Sequence, residues 1–238
     1  IIGITVGVAA LIVVMSIFNG FQELTERQLF GYDPHLRISA KTGNRLHNSD
    51  SLINLISKHN EIIHTSKLLS GKVVGINNNI VQVFNLQGIE QKDIDFYDEV
   101  KSNIVAGKFK LMTSDSTPGI IIGAGLAEKL KVMPGDSLKI VSPKLIESAI
   151  SSFKPYQSST VLVTGLFQTN IQDFDIRDGF VMMPTAQKIF YSPKSVVSSI
   201  EVRIKDSYKS YSITNDIKKI IGNEIKIETW QDLNKELY

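Results

Sequence analysis

Four histidines, His35, His47, His59 and His64, and one acidic run, Asp173, Asp175, Arg177 and Asp178, carry the side-chain types that metal or acid–base chemistry would use. Neither group has the spacing for it. A zinc site of the HExxH kind needs two histidines one turn apart, and no pair of the four is placed that way. These histidines read as surface or capping residues. The acidic run brings three carboxylates together but lacks the spaced oxygen ligands and closing glutamate of a calcium loop, so it reads as a solvated turn. The chain has no cysteine, which excludes thiol catalysis, disulfides and cysteine-ligated zinc. It contains no Gly-x-Ser-x-Gly nucleophile elbow, no dinucleotide glycine fingerprint and no GxxxxGK[ST] phosphate loop. No catalytic residue, metal or cofactor is expected.

The elements of the chain begin with residues 1–18, IIGITVGVAALIVVMSIF, which carry no charge. A bilayer core asks roughly 20 apolar residues of a helix, so this is read as a transmembrane segment. A secretory signal peptide would show a basic start and a small-residue cleavage site, and neither is visible. Gly3 and Gly7 form a small-xxx-small pair through which another helix could approach closely in lipid. Beyond Asn19 and Gly20, Phe18, Phe21, Leu24, Gln28 and Leu29 recur at helical spacing. The helix is therefore expected to continue as an amphipathic stalk, stopped by Gly31 and Pro34. Such a stalk packs either on a neighbour above the bilayer or on its own domain.

From residue 35 the pattern changes to short β-type runs between polar helices and turns, and the fold class is α+β. Strands are predicted at 35–39, 67–76, 80–86, 119–122, 137–141, 160–167, 179–183, 199–204 and 224–228. Helices are predicted at 50–59, 124–130, 185–191 and 208–221, with 230–238 as a helix returning to the membrane. The expected organisation is residues 1–31 as the end of a transmembrane helix plus stalk, and residues 32–229 as a domain of two lobes outside the bilayer. The first lobe takes about 35–70 with 195–229, the second about 75–185. The sequence shows no internal repeat. It opens on Ile1 and closes on Tyr238 inside a helix-like run, so both ends are expected to continue in a longer chain.

Composition agrees with this plan. With 238 residues, 42% of them hydrophobic, the chain can build a core. Its 26 Lys and Arg against 24 Asp and Glu give a net charge of +2 with no basic stripe, which argues against nucleic acid as a partner.

Three stretches resemble the MacB/FtsX-type ABC transporter permeases, and within them the LolC/LolE lipoprotein-releasing permeases. LIVVMSIFNGFQELTERQLFGYDPHLRIS, residues 11–39, is similar to the family's first membrane helix and the Pro-His that leads into the first periplasmic strand. GIIIGAGLAEKLKVMPGDSLKIVSP, residues 119–143, resembles its strand, small helix and Gly-Asp turn into a strand. IKIETWQDLNKELY, residues 225–238, is similar to the strand and Trp before the second membrane helix.

This resemblance implies a multi-pass permease of the cell inner membrane whose MacB-like core domain lies in the periplasm. The implied partners are a separate ABC ATPase subunit that hydrolyses ATP, a second permease, identical or paralogous, a periplasmic lipoprotein carrier, and acylated lipoprotein cargo. The loop 142–159, SPKLIESAISSFKPYQSS, lies where the lipoprotein-releasing branch carries a hook that docks the carrier. Its expected tip is Phe153, Lys154, Pro155 and Tyr156, two aromatics around a rigid proline. Phe18, Phe21, Leu24 and Leu29 are expected to line a lipid cavity between permeases. A MacB-like exporter or an FtsX-like transmitter acting on a cell-wall hydrolase is the alternative within the family. A singly anchored enzyme or receptor is the alternative outside it.

Overall fold

A run of apolar residues this long, followed by a proline, sets the first element. In the computed structural model α1 (Ile2–Tyr32) is one continuous helix. It ends two residues before Pro34, whose ring and missing N–H cannot extend a helix. The structure describes residues 2–32, 34–43, 45–143, 145, 158–169, 171–222 and 225–233, with the backbone alone over 21–32. The chain divides into two units, Ile1–Asp33 and Pro34–Tyr238.

In the second unit the organising element is β2 (Ile62–Asn77), sixteen residues long. Its first half pairs antiparallel with β9 (Ser199–Ile204), from Ile62 opposite Ile204 to Leu68 opposite Ser199. β9 pairs in turn with β1 (Leu36–Ala40), and β1 with β10 (Ile225–Thr229), giving a four-stranded antiparallel sheet. The second half of β2 forms a hairpin with β3 (Ile80–Ile89), turned at Asn78 with φ 52°. From there the pairing closes on itself. β3 lies parallel to β8 (Asp178–Met182), β8 antiparallel to β5 (Gly119–Gly123), and β5 parallel to β7 (Ser159–Phe167). β7 is antiparallel to β6 (Ser137–Val141), and β6 is antiparallel to β2 at Val74–Ile76. Six strands thus make a closed ring, which leaves fewer free edges than an open sheet. β4 (Ile104–Gly107) branches from it against β7.

The ring contains a repeat that the sequence hides. A hairpin, β2–β3, is followed by β5 and α4 (Ala124–Leu130); a second hairpin, β6–β7, is followed by β8 and α6 (Met183–Phe190). Both helices stop on a left-handed residue, Lys131 at φ 53° and Tyr191 at φ 51°. β5, GIIIG, and β8, DGFVM, are buried at every position, as strands covered on both faces must be. Phe84, Phe167, Phe180 and Ile120 to Ile122 fill the centre.

All nine predicted strands are present within a few residues, β6 and β9 have the predicted ends, and the helix predicted at 50–59 is α2 (Ser49–Ile56). β4, α3 (Asp98–Ser102) and α5 (Gln172–Arg177) were not anticipated, because each is too short to show a period. α5 corrects the reading of the acidic run as a solvated turn. Asp175 is buried and its carboxylate accepts from Thr169 N at 2.9 Å and Thr169 Oγ1 at 2.8 Å. Asp178, also buried, accepts from Gln87 Nε2 at 2.9 Å, and Asp173 alone stays in solvent, 3.5 Å from Arg177.

Candidate functional site

Register places the two ends of the second unit side by side. β1 begins at Leu36 opposite Thr229, the last residue of β10, so the chain arrives and departs on neighbouring strands. The strand ends are clasped there. Trp230 opens α8 (Trp230–Leu233), is 5% exposed, and donates from its backbone N to His35 O at 3.0 Å and from Nε1 to Ser207 O at 3.1 Å. The Asp232 carboxylate accepts from Thr229 N at 3.1 Å and Thr229 Oγ1 at 2.9 Å, a capping arrangement that launches the helix. Ser210, the first residue of α7 (Ser210–Ile221), donates to Gln231 Oε1 at 3.0 Å.

His35 belongs to this clasp rather than to the surface. Its Nδ1 lies 3.1 Å from Ile204 N and 3.0 Å from Ile204 O, accepting from the first or donating to the second according to the tautomer. Burial, and next the positive charge of Arg203, lower the imidazole below the usual histidine range and favour the neutral ring; the Ile204 carbonyl pulls the other way. His64 instead lies 3.3 Å from the Asp93 carboxylate, and His59 lies at the ion-pair limit from Asp216, 4.0 Å. Among the described residues no three His, Asp or Glu gather as a metal site.

The expected hook tip, Phe153, Lys154, Pro155 and Tyr156, lies outside the described residues. Its roots are described: β6 ends at Val141 and β7 begins at Ser159, opposite Ile140. At the foot of this connection is a largely apolar cleft of about 390 Å³ lined by Leu145, Phe190, Tyr191 and Pro193 with Arg45 and His47 at its polar side. Arg45 is held by Ser192 Oγ and by the Phe190 carbonyl, so it is a wall of the cleft.

On α1, residues 2–20 are exposed throughout, and Ile2–Gly20 is long and apolar enough to cross a membrane. A Cβ added at Gly3 or Gly7 would meet nothing within 4 Å among the described residues. Phe18 is 63% exposed. Helical periodicity puts Phe21, Leu24 and Leu29 with it inside an arc of roughly 140°.

One polar cluster escaped the sequence reading. Glu201, 3% exposed, accepts from Arg37 Nη2 at 2.9 Å and from the Tyr97 hydroxyl at 3.1 Å. Asp93, 2% exposed, accepts from Ser66 Oγ at 3.0 Å. Burial, then the Glu201 carboxylate, push the Tyr97 phenol well above the usual tyrosine range, so it is a permanent donor. The alternation Ser199-Ile200-Glu201-Val202-Arg203-Ile204 reads as a half-solvated strand, but the 91–102 segment covers its polar face.

The family described as MacB-like periplasmic core domain matches residues 1–220. The chain is 26% identical to the lipoprotein-releasing system transmembrane protein LolC of Neisseria meningitidis serogroup B, over 99% of this chain and 56% of that protein. It is 22% identical to LolE of Haemophilus influenzae, over 96% of this chain and 55% of that protein. The chain spans about half the length of these curated relatives. Among solved structures, the periplasmic region of MacB from Actinobacillus actinomycetemcomitans superposes with a TM-score of 0.55 at 16% identity, covering 88% of this chain and 95% of that one. The extracellular domain of the ABC-type transporter YknZ gives 0.51 at 13%, covering 82% and 99%. These likenesses show the fold.

Proposed function

Because this chain belongs to the MacB-like periplasmic core domain family, we propose that it is the first membrane helix and periplasmic domain of an ABC transporter permease that releases lipoproteins from the inner membrane. The observation that carries the reading is the similarity to LolC and LolE along nearly the whole chain, both lipoprotein-releasing system proteins by name. The clasp at the sheet end supports it physically. A domain inserted between two membrane helices needs its arriving and departing strands paired, so that motion of either helix displaces the sheet as a unit.

In this reading a separate ATPase subunit hydrolyses ATP in the cytoplasm, a second permease completes the transporter, and this chain performs no covalent chemistry. The helix α1 runs twelve residues past Gly20, about 18 Å of further helix. Its face at Phe18, Phe21, Leu24 and Leu29 lines a cavity for acyl chains, and Gly3 and Gly7 seat a neighbouring helix in the bilayer. Each buried CH₂ of a lipid anchor holds cargo by ~0.8 kcal/mol, so a sixteen-carbon chain resists extraction by roughly 12 kcal/mol, which the ATPase cycle must supply. The loop bearing Phe153, Lys154, Pro155 and Tyr156 docks a soluble carrier that takes the released lipoprotein.

A photo-reactive side chain at Pro155 or Tyr156 in cells tests the docking role. Capture of a soluble lipoprotein carrier supports it. Capture of an outer-membrane channel component or a cell-wall hydrolase moves the chain to the exporter or transmitter branch, the second reading favoured by the MacB-like fold. Absence of capture with the transporter assembled removes the docking role.

A further inference from the structure

The 91–102 segment leaves the six-stranded ring at the end of β3 and returns to it through β4, yet between those points it makes hydrogen bonds to strands of the other sheet. Ser66 and His64, on the first half of β2, reach Asp93 at 3.0 and 3.3 Å. On β9, Arg203 donates to Phe96 O at 2.7 Å and its guanidinium lies 4.6 Å above the Phe96 ring, while Glu201 accepts from Tyr97. Tyr97 touches both halves: its hydroxyl meets Glu201 and its ring packs edge-on against Phe180 of the ring, centroids 5.6 Å apart. Phe180 continues to Phe167 at 5.8 Å and Phe174 at 6.1 Å.

We propose that residues 91–102 form a mechanical strap that makes the four-stranded sheet, where the chain arrives and departs, and the six-stranded ring, which carries the 142–159 loop, move as one body. β2 also joins the two halves, but a single strand can bend and twist about its own axis. Residues 191–198 cross from α6 into β9, and Arg45, held by Ser192 Oγ and the Phe190 carbonyl, ties that crossing to the sheet; the strap adds an attachment at another point, through side chains on β2 and β9, and that removes the remaining freedom. Its hydrogen bonds are made to carboxylates shut away from water, where an unmatched partner is costly, so the strap is either fully seated or fully released. The inference rests on the permease reading only for what the motion is used for.

These 238 residues contain no cysteine, so a pair of spin labels placed among them has no background from this part of the full-length protein. Lys209→Cys on the sheet side and Met133→Cys on the ring side are both exposed. The wild-type background is expected to give one narrow distance distribution by pulsed EPR. Tyr97→Phe keeps the ring on Phe180 and removes the hydroxyl; Glu201→Gln keeps the shape and removes the charge. Each is expected to broaden the distribution at least about 1.5-fold and to speed amide exchange of 91–103 about tenfold, with β5 and β8 still fully protected. A distribution of unchanged width in both variants, with strap exchange accelerated, overturns the proposal and leaves the coupling to β2 and the 191–198 crossing. Broadening in a transporter that shows no lipoprotein release even in the wild type leaves the strap standing and counts against the permease reading, because the distance measurement does not depend on cargo.

Discussion

Trp230→Phe is the sharpest test of the clasp. Trp230 is the only tryptophan, and its indole N–H satisfies the Ser207 carbonyl at 3.1 Å while its ring is 5% exposed. Phenylalanine keeps most of the apolar ring and deletes the donor. The lost hydrogen bond costs about 1 kcal/mol, and the smaller ring about 1 more through incomplete refilling, so the expected loss is about 2 kcal/mol. Trp230→Ala removes the ring as well and should cost about 3–5 kcal/mol. For a unit of this size each kcal/mol lowers Tm by roughly 2–4 °C, so Trp230→Phe should melt about 4–8 °C lower, followed by circular dichroism on the full-length protein in detergent. A parallel Val83→Thr change, on an exposed strand position far from the clasp in sequence, should move Tm by less than about 1 °C. Equal melting of Trp230→Phe and wild type, within about 0.3 kcal/mol, would refute the idea that the departing helix is fastened to the sheet by this residue.

Three further outcomes follow from the same geometry. His35 is held neutral, so the folded state binds its proton less readily than the unfolded chain; stability is full above the ordinary histidine value of 6.5 and falls as pH drops through it toward the lowered folded value. Urea midpoints at pH 7.5 and pH 5 should differ in the expected sense, and His35→Gln should flatten that difference. Gly123→Ala should cost more than about 2 kcal/mol, because the added methyl would collide with the Asp175 carbonyl, a backbone atom that cannot swing away, and the loss is read as a lower urea midpoint. Gly3→Leu with Gly7→Leu should weaken pairing of α1 with another membrane helix, seen as reduced energy transfer between labelled helices in lipid, while leaving the melting of Pro34–Tyr238 unchanged.

Strand positions were legible wherever apolar residues ran or alternated for five residues or more, as in GIIIG of β5 and SIEVRI of β9. The turn Pro134-Gly135-Asp136 announced β6, and Gly135 at φ 105° has the backbone that only glycine adopts easily. The closure of the ring was not legible, since the parallel pairings β3–β8 and β5–β7 join residues far apart in sequence with no local mark. The repeat went unseen because GIIIGAGLAEKL and GFVMMPTAQKIF share a shape and few residues. The buried Glu201 and Asp93 were invisible for a related reason: a polar residue on an alternating strand looks solvated until another segment covers it. The clasp left one sign, a lone Trp immediately after a strand, which the sequence reading used as a boundary and whose hydrogen bond only the fold reveals.

The role proposed for this chain is that of a permease in a transporter that converts ATP hydrolysis into release of lipoproteins. It is tested most directly by reconstituting the full-length permease with its ATPase subunit and a second permease in liposomes loaded with an acylated lipoprotein, and measuring lipoprotein transferred to soluble carrier on adding ATP. ATP-dependent transfer that Trp230→Ala reduces without lowering ATPase activity is the predicted result. ATP hydrolysis by the assembled complex with no transfer, whatever acylated lipoprotein is supplied, would contradict it.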